Sequence, residues 1–421
     1  MSRQIRCKHT LMTRPHPACD SVDFTSRGSV RAARRPAQPS RLRTAVCRMN
    51  QVAGSAPGVA PDAGVGIVAG ELFNPGFRVL PRLLVLTIGL SAQPAAADPC
   101  LFDADQSGMG VGVYFDQDML VPGANDDRDY TMGLGVEVFQ DRGPLYLMGG
   151  LFKRLDPLLG LDRRCGRVYR SFLLGSVTYT PDDIGDPEPI YDDRPYSSLL
   201  YLANKQVVAD DDRALGVELM VGALGLNVAN QVQTSLHQWY RDVTGSTEPV
   251  NPEGWRYQIS DGGEPTARLR VTDSRRFAGG NNWDLAHSWD LNLGFQTNAG
   301  IGLSGRLGQL GSPFWSTPYD PINRGNFVPV MRSDELYLWG AARLRAVAYD
   351  ALLQGQFRES EVTVDYDDMR KLVWDAGVGV TKGWSGFQLT FSINAKAGDT
   401  TLSKAPQEHL WGGLYLSRHF D

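Results

Sequence analysis

The stretch VGVYFDQDMLVPGANDDRDYTMGLG, residues 111–135, contains two alternating segments separated by a polar loop. The first segment places apolar side chains at Val111, Val113 and Phe115, and the alternation resumes at Met132. A period of two with one apolar face is the pattern of a β-strand whose two faces meet different surroundings. The stretch therefore predicts two strands joined by an acidic loop.

The same alternation recurs along the chain as far as the C terminus. Its clearest instance lies at 387–396, where Phe387 and Leu389 alternate with Gln388 and Thr390. Twelve strands are predicted, at residues 109–118, 131–140, 168–180, 196–208, 214–223, 263–275, 285–297, 300–309, 334–348, 371–381, 387–396 and 409–420. An even number of strands places both ends of the folded domain on one side, and the loops after the first, third and fifth strands on the other.

Charge and hydropathy divide the chain near residue 97. Residues 1–97 hold 13 of the 42 Lys and Arg but only 4 of the 47 Asp and Glu, which leaves a net charge of −14 on the remainder. Arg78 and Arg82 precede a short apolar run that ends in three alanines at 95–97, the layout of a secretory signal peptide. The predicted division is an upstream segment that is not translated, a signal peptide and an exported barrel domain, at residues 1–77, 78–97 and 98–421. A disordered extension is the alternative for the first segment.

Two cysteines remain in the exported part, Cys100 and Cys165. In an exported chain they suggest a disulfide, with two buried free thiols as the alternative. Met148–Leu161 has the spacing of a short amphipathic helix, and residues 227–240 can form a helix over the barrel mouth.

Alternation alone does not distinguish a soluble sandwich, whose polar face meets water, from a transmembrane barrel, whose apolar face meets lipid. Three features favour the barrel: the export signal, the alternation of short turns with long loops, and a final strand that ends near Phe420. We predict an all-β fold, an antiparallel transmembrane β-barrel of about 12 strands with short helices in its loops, in the bacterial outer membrane. Residues 310–333 fit poorly, because they make a long loop on the side where turns should be short.

The loops after the first, third and fifth strands are predicted to hold the polar clusters of functional interest. The first contains Asp116, Gln117 and Asp118, whose oxygen atoms suit a hard cation such as Ca²⁺, although a solvated acidic loop is the alternative. The second ends at Arg194, which would meet a phosphate or fix a carboxylate. The third carries His237.

His237 lies on the helix predicted at 227–240. The chain has no HxH or HExxH spacing, which argues against a zinc hydrolase, and no GxSxG nucleophile elbow. As a general base His237 would need a water and a partner that polarises a carbonyl, which a bound metal would supply. Packing or helix capping is the alternative role.

Three motifs in this order resemble the outer-membrane lipid A 3'-O-deacylase (LpxR-like) family. They are Asp118 followed by DRDYTMG at 127–133, DDRPYSSLLYL at 192–202, and VGALGLNVANQVQ with a later His and GW at 221–255. The similarity covers nearly all of residues 108–421. It implies a twelve-stranded outer-membrane barrel and a calcium-dependent esterase that removes the 3'-linked acyloxyacyl group of lipid A.

The resemblance also implies roles for individual residues. His237 matches the general base, Asp118 the acidic residue of the metal site, and Thr131 a polar residue at the start of the second strand. The predicted catalytic residues are His237, Asp118, Gln117 and Thr131. The predicted substrate-binding residues are Arg194 and Glu248. The predicted metal ligands are Asp118 and Asp116. The family's Asn-Asp pair reads Gln117-Asp118 here, and the extra methylene displaces the amide by about 1 Å.

That departure favours a second possibility, in which the barrel is catalytically idle and binds lipopolysaccharide or only shapes the membrane. A general porin and an outer-membrane phospholipase are two further candidate functions. The lid-like third loop argues against the porin, and the lack of a local Ser–His pattern argues against the phospholipase. We expect Ca²⁺ as cofactor, lipid A of the outer leaflet as partner, no nucleic-acid partner and a monomer.

Overall fold

The computed structural model describes residues 108–121, 128–140, 167–317, 327–330, 333–405 and 408–420. Four predictions lie outside these residues and stay predictions: the upstream segment, the signal peptide, the helix at 148–161 and the Cys100–Cys165 pairing.

Twelve antiparallel strands form a closed barrel in which each strand pairs with its neighbours in sequence and β1 pairs with β12. They are β1 (Met109–Gln117), β2 (Asp129–Gln140), β3 (Arg167–Thr180), β4 (Ser197–Ala209), β5 (Arg213–Leu224), β6 (Glu264–Gly279), β7 (Trp283–Gly294), β8 (Gln296–Gln309), β9 (Glu335–Asp350), β10 (Leu372–Trp384), β11 (Phe387–Ala397) and β12 (Glu408–Phe420). The predicted fold class is confirmed.

The predicted boundary between the seventh and eighth strands is wrong. The alternation suggested a strand as far as residue 297, but β7 ends at Gly294 and β8 begins at Gln296. Gly294 has a φ of 137°, which a residue with a side chain rarely adopts, and it turns the chain. The Phe295 side chain therefore lies buried inside the barrel, whereas Leu293, two residues earlier, is half exposed on the outer face.

The apolar faces of the strands point outward. In β11, Leu389, Phe391 and Ile393 are 36–38% exposed, whereas Gln388 and Thr390 are buried in the interior. A soluble barrel would show the opposite arrangement, because its apolar side chains would fill the core. Outward apolar and inward polar faces are those of a transmembrane barrel.

A charged residue on the outer face should therefore destabilise the barrel in a bilayer. We expect Ile393→Arg, near the middle of β11, to lower the free energy of unfolding in lipid vesicles by about 2–4 kcal/mol. Glu359→Arg, on an exposed loop, is the matched control and should have little effect. Equal losses in denaturant titrations of the two variants would contradict a lipid-facing outer wall.

The barrel has a loop end, where β1 finishes, and a terminal end, where Met109 and Phe420 lie. The loop end carries the connections at residues 118–128, 181–196, 225–263, 351–371 and 398–407. Two α-helices belong to these loops, α1 (Val228–Thr244) and the single turn α2 (Ala351–Gln354), and α1 confirms the predicted helix. Within the described ranges no helix is both long and apolar enough to cross a bilayer.

The interior of the barrel has two chemically different halves. The half lined by β1–β5 and β12 is mainly aromatic and apolar, and includes Tyr114, Leu173, Val177, Tyr201, Met220, Trp411 and Tyr415. The half lined by β6–β11 is rich in charged side chains, and includes Arg268, Arg270, Asp290, Arg306, Arg343, Arg345 and Asp375. Charges in such surroundings need partners, and Arg345 accordingly donates to Asp375 at 2.6 and 2.8 Å.

The long connection between β8 and β9 folds into the barrel from the terminal end. Its described parts, residues 311–317 and 327–330, are here called the plug segments. Lys205 Nζ donates to the Phe327 carbonyl at 3.0 Å, and the Phe327 ring meets Tyr415 edge-on at 5.3 Å between centroids. The connection is long because part of it fills the interior, and this accounts for its poor fit to a simple turn.

Candidate functional site

Two oxygen-bearing side chains follow one another where β1 ends. Asp118 opens a 3-10 turn, Asp118–Leu120, and is fully buried, with its Oδ1 accepting the Met119 N–H at 2.7 Å. Gln117 precedes it, and its buried Oε1 accepts no hydrogen bond from the described residues. The end of β1 thus presents a carboxylate and an unsatisfied amide oxygen.

A β-bulge shapes the start of β2. Tyr130 pairs with Tyr179 of β3, but Met132 pairs with Thr178, so Thr131 is the extra residue. The Thr131 hydroxyl forms a 2.6 Å hydrogen bond with the hydroxyl of Thr180, and both side chains are buried. Bulges commonly redirect side chains near active sites.

Asp116 lies on the inward face of β1. Its Oδ2 accepts a hydrogen bond from the Tyr130 hydroxyl at 3.1 Å. Gly133, opposite Asp116 in the strand pairing, makes this contact possible because a Cβ at that position would collide with the hydroxyl. Gln117, the next residue along the strand, is directed to the other face.

Arg194 is buried at the end of the loop between β3 and β4. Its Nη1 donates to Asp129 and, at 3.1 Å, to Asp399, and its guanidinium lies 4.0 Å above the Tyr179 ring. Of the two roles predicted for Arg194, the structure displays the fixing of carboxylates.

Asp399 is shared between two cations. Lys396 Nζ donates to its Oδ2 at 2.6 Å, beside the bond from Arg194. Burial alone would raise the pKa of Asp399, but the two neighbouring positive charges hold that pKa well below its usual range. Asp399 therefore remains ionised at neutral pH and fixes Arg194 in place.

Removing Arg194 should leave Asp129 and Asp399 to share the single positive charge of Lys396. We expect Arg194→Met to lower the free energy of unfolding by about 3 kcal/mol, measured by denaturant titration in vesicles. The control is Arg128→Met, because its ion pair with Asp182 is largely exposed; that change should cost less than about 1 kcal/mol. Similar losses in both variants would show that the buried ion pairs of Arg194 add little.

His237 lies on the buried face of α1, which presents Ala229, Gln233 and His237 at intervals of four residues. His237 Nδ1 lies 2.7 Å from the Val250 carbonyl. Since a carbonyl oxygen only accepts, Nδ1 must carry the proton, and Nε2 is the basic nitrogen of the ring. Trp255 fixes the same face, because its Nε1 donates to Gln233 Oε1 at 3.0 Å.

The segment after α1 is hydrogen-bonded to the helix. Arg241, one turn after His237, donates to the Pro249 carbonyl at 2.5 Å and to Asn251 Oδ1 at 2.7 Å. Gly245, at φ 69°, ends the helix and reverses the chain. Glu248 lies in this segment with an exposed side chain, and its N–H donates to Ser246 Oγ.

The structure thus brings some predicted residues together. Gln117 and Asp118 are adjacent, Thr131 lies near them through the pairing of β1 with β2, and Arg194 joins this group through Asp129. His237 and Glu248 lie at the same end of the barrel on the connection between β5 and β6. Within the described part of the chain, no group of three His, Cys, Asp or Glu residues has the geometry of a metal site.

Three charged residues around Arg194 were not predicted as parts of the site: Asp129, Lys396 and Asp399. The prediction that three loops hold all the polar clusters is wrong, because Asp399 follows β11. Barrel closure places β12, and with it the loop before β12, beside β1. The inward parity of Lys396 was the only available signal, since the alternation of β11 places it on the polar face.

Comparison with solved structures identifies similar barrels. LpxR from Salmonella typhimurium is 16% identical with a TM-score of 0.56, and the match covers 74% of this chain and 100% of that one. An outer membrane channel from Pseudomonas putida F1 is 12% identical (TM-score 0.36; 78% and 100% covered), and the beta domain of the Bordetella autotransporter BrkA is also 12% identical (TM-score 0.34; 75% and 99% covered). The first likeness supports the fold, and the other two scores are too low to do so.

No curated protein matches the chain. A family model described as outer membrane protein LpxR matches residues 83–420, which is most of the chain and includes all twelve strands. The family predicted from the three motifs is therefore confirmed: this chain belongs to the LpxR family of outer membrane proteins.

Proposed function

We propose that this outer-membrane barrel is an esterase that removes the 3'-linked acyloxyacyl group of lipid A. The observation that carries the proposal is the state of His237, a buried histidine whose Nδ1–H is held by the Val250 carbonyl. Such a hydrogen bond fixes the orientation of the ring, and in the neutral imidazole it makes Nε2 the basic nitrogen. Family membership supplies the substrate class.

His237 is the general base in this proposal. Its Nε2 takes a proton from water as the water attacks the ester carbonyl, and later returns the proton to the leaving alkoxide. Arg241 keeps the Val250 segment against α1, so it acts as a positioning residue for the imidazole. Glu248, exposed two residues before Val250, would accept hydrogen bonds from polar groups of the substrate.

The residues at the end of β1 fit a calcium ion. Ca²⁺ prefers oxygen ligands, and two consecutive residues supply them here: Asp118 with a fully buried carboxylate, and Gln117 with an amide oxygen that has no hydrogen-bond partner among the described residues. Asp118 and Gln117 would hold the ion, and Asp116, predicted as a further ligand, is oriented by Tyr130. When bound, Ca²⁺ would polarise the ester carbonyl and stabilise the oxyanion.

Thr131 and Arg194 have supporting roles in the proposal. The Thr131 hydroxyl, held by Thr180 in the bulge, orients polar groups at the end of β1. Arg194 holds the start of β2 through Asp129. Its ion pairs make it a positioning residue for the rim rather than a free site for phosphate.

The test is mass spectrometry of lipid A from a Gram-negative host with and without expression of the chain. We expect the mass of lipid A to fall by that of one acyloxyacyl group from the 3' position, and we expect this loss to depend on Ca²⁺. Unchanged lipid A, with the barrel folded in the outer membrane, would contradict the proposal.

The second candidate function is a catalytically idle barrel that binds lipopolysaccharide, and Gln117 is the residue that favours it. Its side chain is one methylene longer than the family's Asn, and a displacement of about 1 Å near a reacting centre can greatly lower the rate of reaction. Gln117→Asn, assayed in the same host, distinguishes the two functions. Activity found only in that variant would mean that the natural site is idle.

A further inference from the structure

A polar cavity lies inside the barrel at mid-height, away from the candidate site. It has a volume of about 50 Å³, between the inner faces of β6–β9 and the plug segment 311–317. A single water needs about 10–15 Å³ by this measure, so the cavity can hold several waters or one small ion. Small residues, including Ser288, Gly302, Ser304 and Ala341, leave the space open on one side.

The other side of the cavity carries hydrogen-bond donors. Several donor groups in its lining make no hydrogen bond with any described residue, namely Arg270 Nη1 and Nη2, Arg343 Nη1, Trp315 Nε1 and the hydroxyls of Thr272 and Thr317. Each of these five side chains is at least nine-tenths buried. Guanidinium and indole nitrogens only donate, so the missing partner must be an acceptor.

Arg270 forms no hydrogen bond with a carboxylate of the described residues. Glu218 is the carboxylate shared by three cations, Lys205 at 3.6 Å, Arg268 at 3.1 Å and Arg270 at 3.9 Å. The Arg270 nitrogen is the farthest of the three from Glu218 and forms no hydrogen bond with it. Water would satisfy the N–H groups of Arg270, but it would not neutralise a buried positive charge.

The acidic residue among the described lining residues is already engaged. Asp290 accepts from Arg343 Nε at 2.8 Å and Nη2, and from Asn292 Nδ2 at 2.8 Å. Its two oxygens are thereby bonded to Arg343 and Asn292, and it accepts no hydrogen bond from Arg270. The space in front of Arg270 is the electropositive part of the cavity.

We propose that this cavity is a binding site for a small inorganic anion, held by Arg270 and Arg343 from the barrel wall and by Trp315 and Thr317 from the plug. The anion accepts hydrogen bonds from the Arg270 guanidinium and connects the plug segment to β6 and β9. Occupancy therefore stabilises the closed interior of the barrel.

The test uses the full chain folded in detergent micelles. Tm is measured at constant ionic strength while sodium gluconate, whose anion is too large for the cavity, is replaced by sodium chloride in one series and by sodium phosphate in another. We expect a saturable rise in Tm on the order of a few degrees in at least one series, and the responding series identifies a halide or an oxyanion. Equal Tm values in all three salts would overturn the proposal.

Two variants assign the rise to the cavity. Arg270→Gln should abolish it, and Trp315→Phe, which keeps the aromatic ring but removes the N–H, should weaken the apparent affinity about tenfold. Arg345→Gln is the matched control, because this side chain binds Asp375 and does not line the cavity; its Tm should be lower but the anion-dependent rise should persist. An unchanged rise in Trp315→Phe would refute the site even if Arg270→Gln does not fold.

Discussion

Replacement of His237 by alanine should reduce the rate of acyl-chain release about 10³-fold while the barrel remains folded. A positioned general base contributes about 10²–10⁴ to a hydrolytic rate, and His237 is held for this role by the Val250 carbonyl. The loss should fall on kcat rather than on KM, because the imidazole acts on water rather than on the lipid. Mass spectrometry of lipid A after incubation with folded enzyme in detergent measures the rate.

Gln238→Ala is the matched control for His237→Ala. Gln238 is the next residue on α1 and is exposed, so its removal tests whether the helix tolerates truncation. Heat modifiability on electrophoresis checks that each barrel is folded. A His237→Ala variant that retains the activity of Gln238→Ala would mean that the histidine only packs the helix.

Asp118→Asn should give a loss of similar size, about 10³-fold at low calcium. The change keeps the shape of the side chain and an acceptor for the Met119 N–H, but it removes the charge that would hold a hard cation. We expect the calcium concentration needed for half-maximal activity to rise, so that added calcium restores part of the rate. Initial rates against free calcium, after treatment with a chelator, measure this effect.

The comparison with Asp116→Asn identifies the carboxylate on which calcium depends. Asp116 Oδ2 accepts the Tyr130 hydroxyl inside the barrel, so we expect its amide variant to change the calcium requirement less than Asp118→Asn. A larger shift in Asp116→Asn would transfer the principal role to Asp116. If neither variant altered the calcium requirement, the end of β1 would not be the metal site.

The alternation of residues predicted the strands well because it follows directly from backbone geometry. A strand directs successive side chains to opposite faces, so a barrel wall between lipid and a polar interior leaves a period of two in the sequence. The pattern failed between β7 and β8, where Gly294 turns the chain and Phe295 enters the interior. Leu293 and Phe295 are two residues apart, which hides a turn between them.

The candidate site was predicted only in part, for reasons that depend on distance along the chain. Gln117, Asp118 and Thr131 belong to consecutive strands, and their proximity follows from a simple hairpin. The Asp399 partner of Arg194 is more than 200 residues away, and the Val250 partner of His237 is a backbone carbonyl that the side-chain sequence does not reveal. The plug segments were equally unpredictable, because nothing in residues 310–333 indicates that the connection turns inward.

The amino-acid sequence was enough to predict the twelve strands, the polar residues at the end of β1, the helix that carries His237 and the family. These features are local, or lie in motifs whose order is kept along the chain. Three further features are visible only in the folded barrel: the direction of the apolar faces, the carbonyl that binds His237 Nδ1, and the carboxylates that hold Arg194. Each of these depends on barrel closure, because closure defines an inside, places β12 against β1 and brings charges from distant strands into one interior where they must find partners.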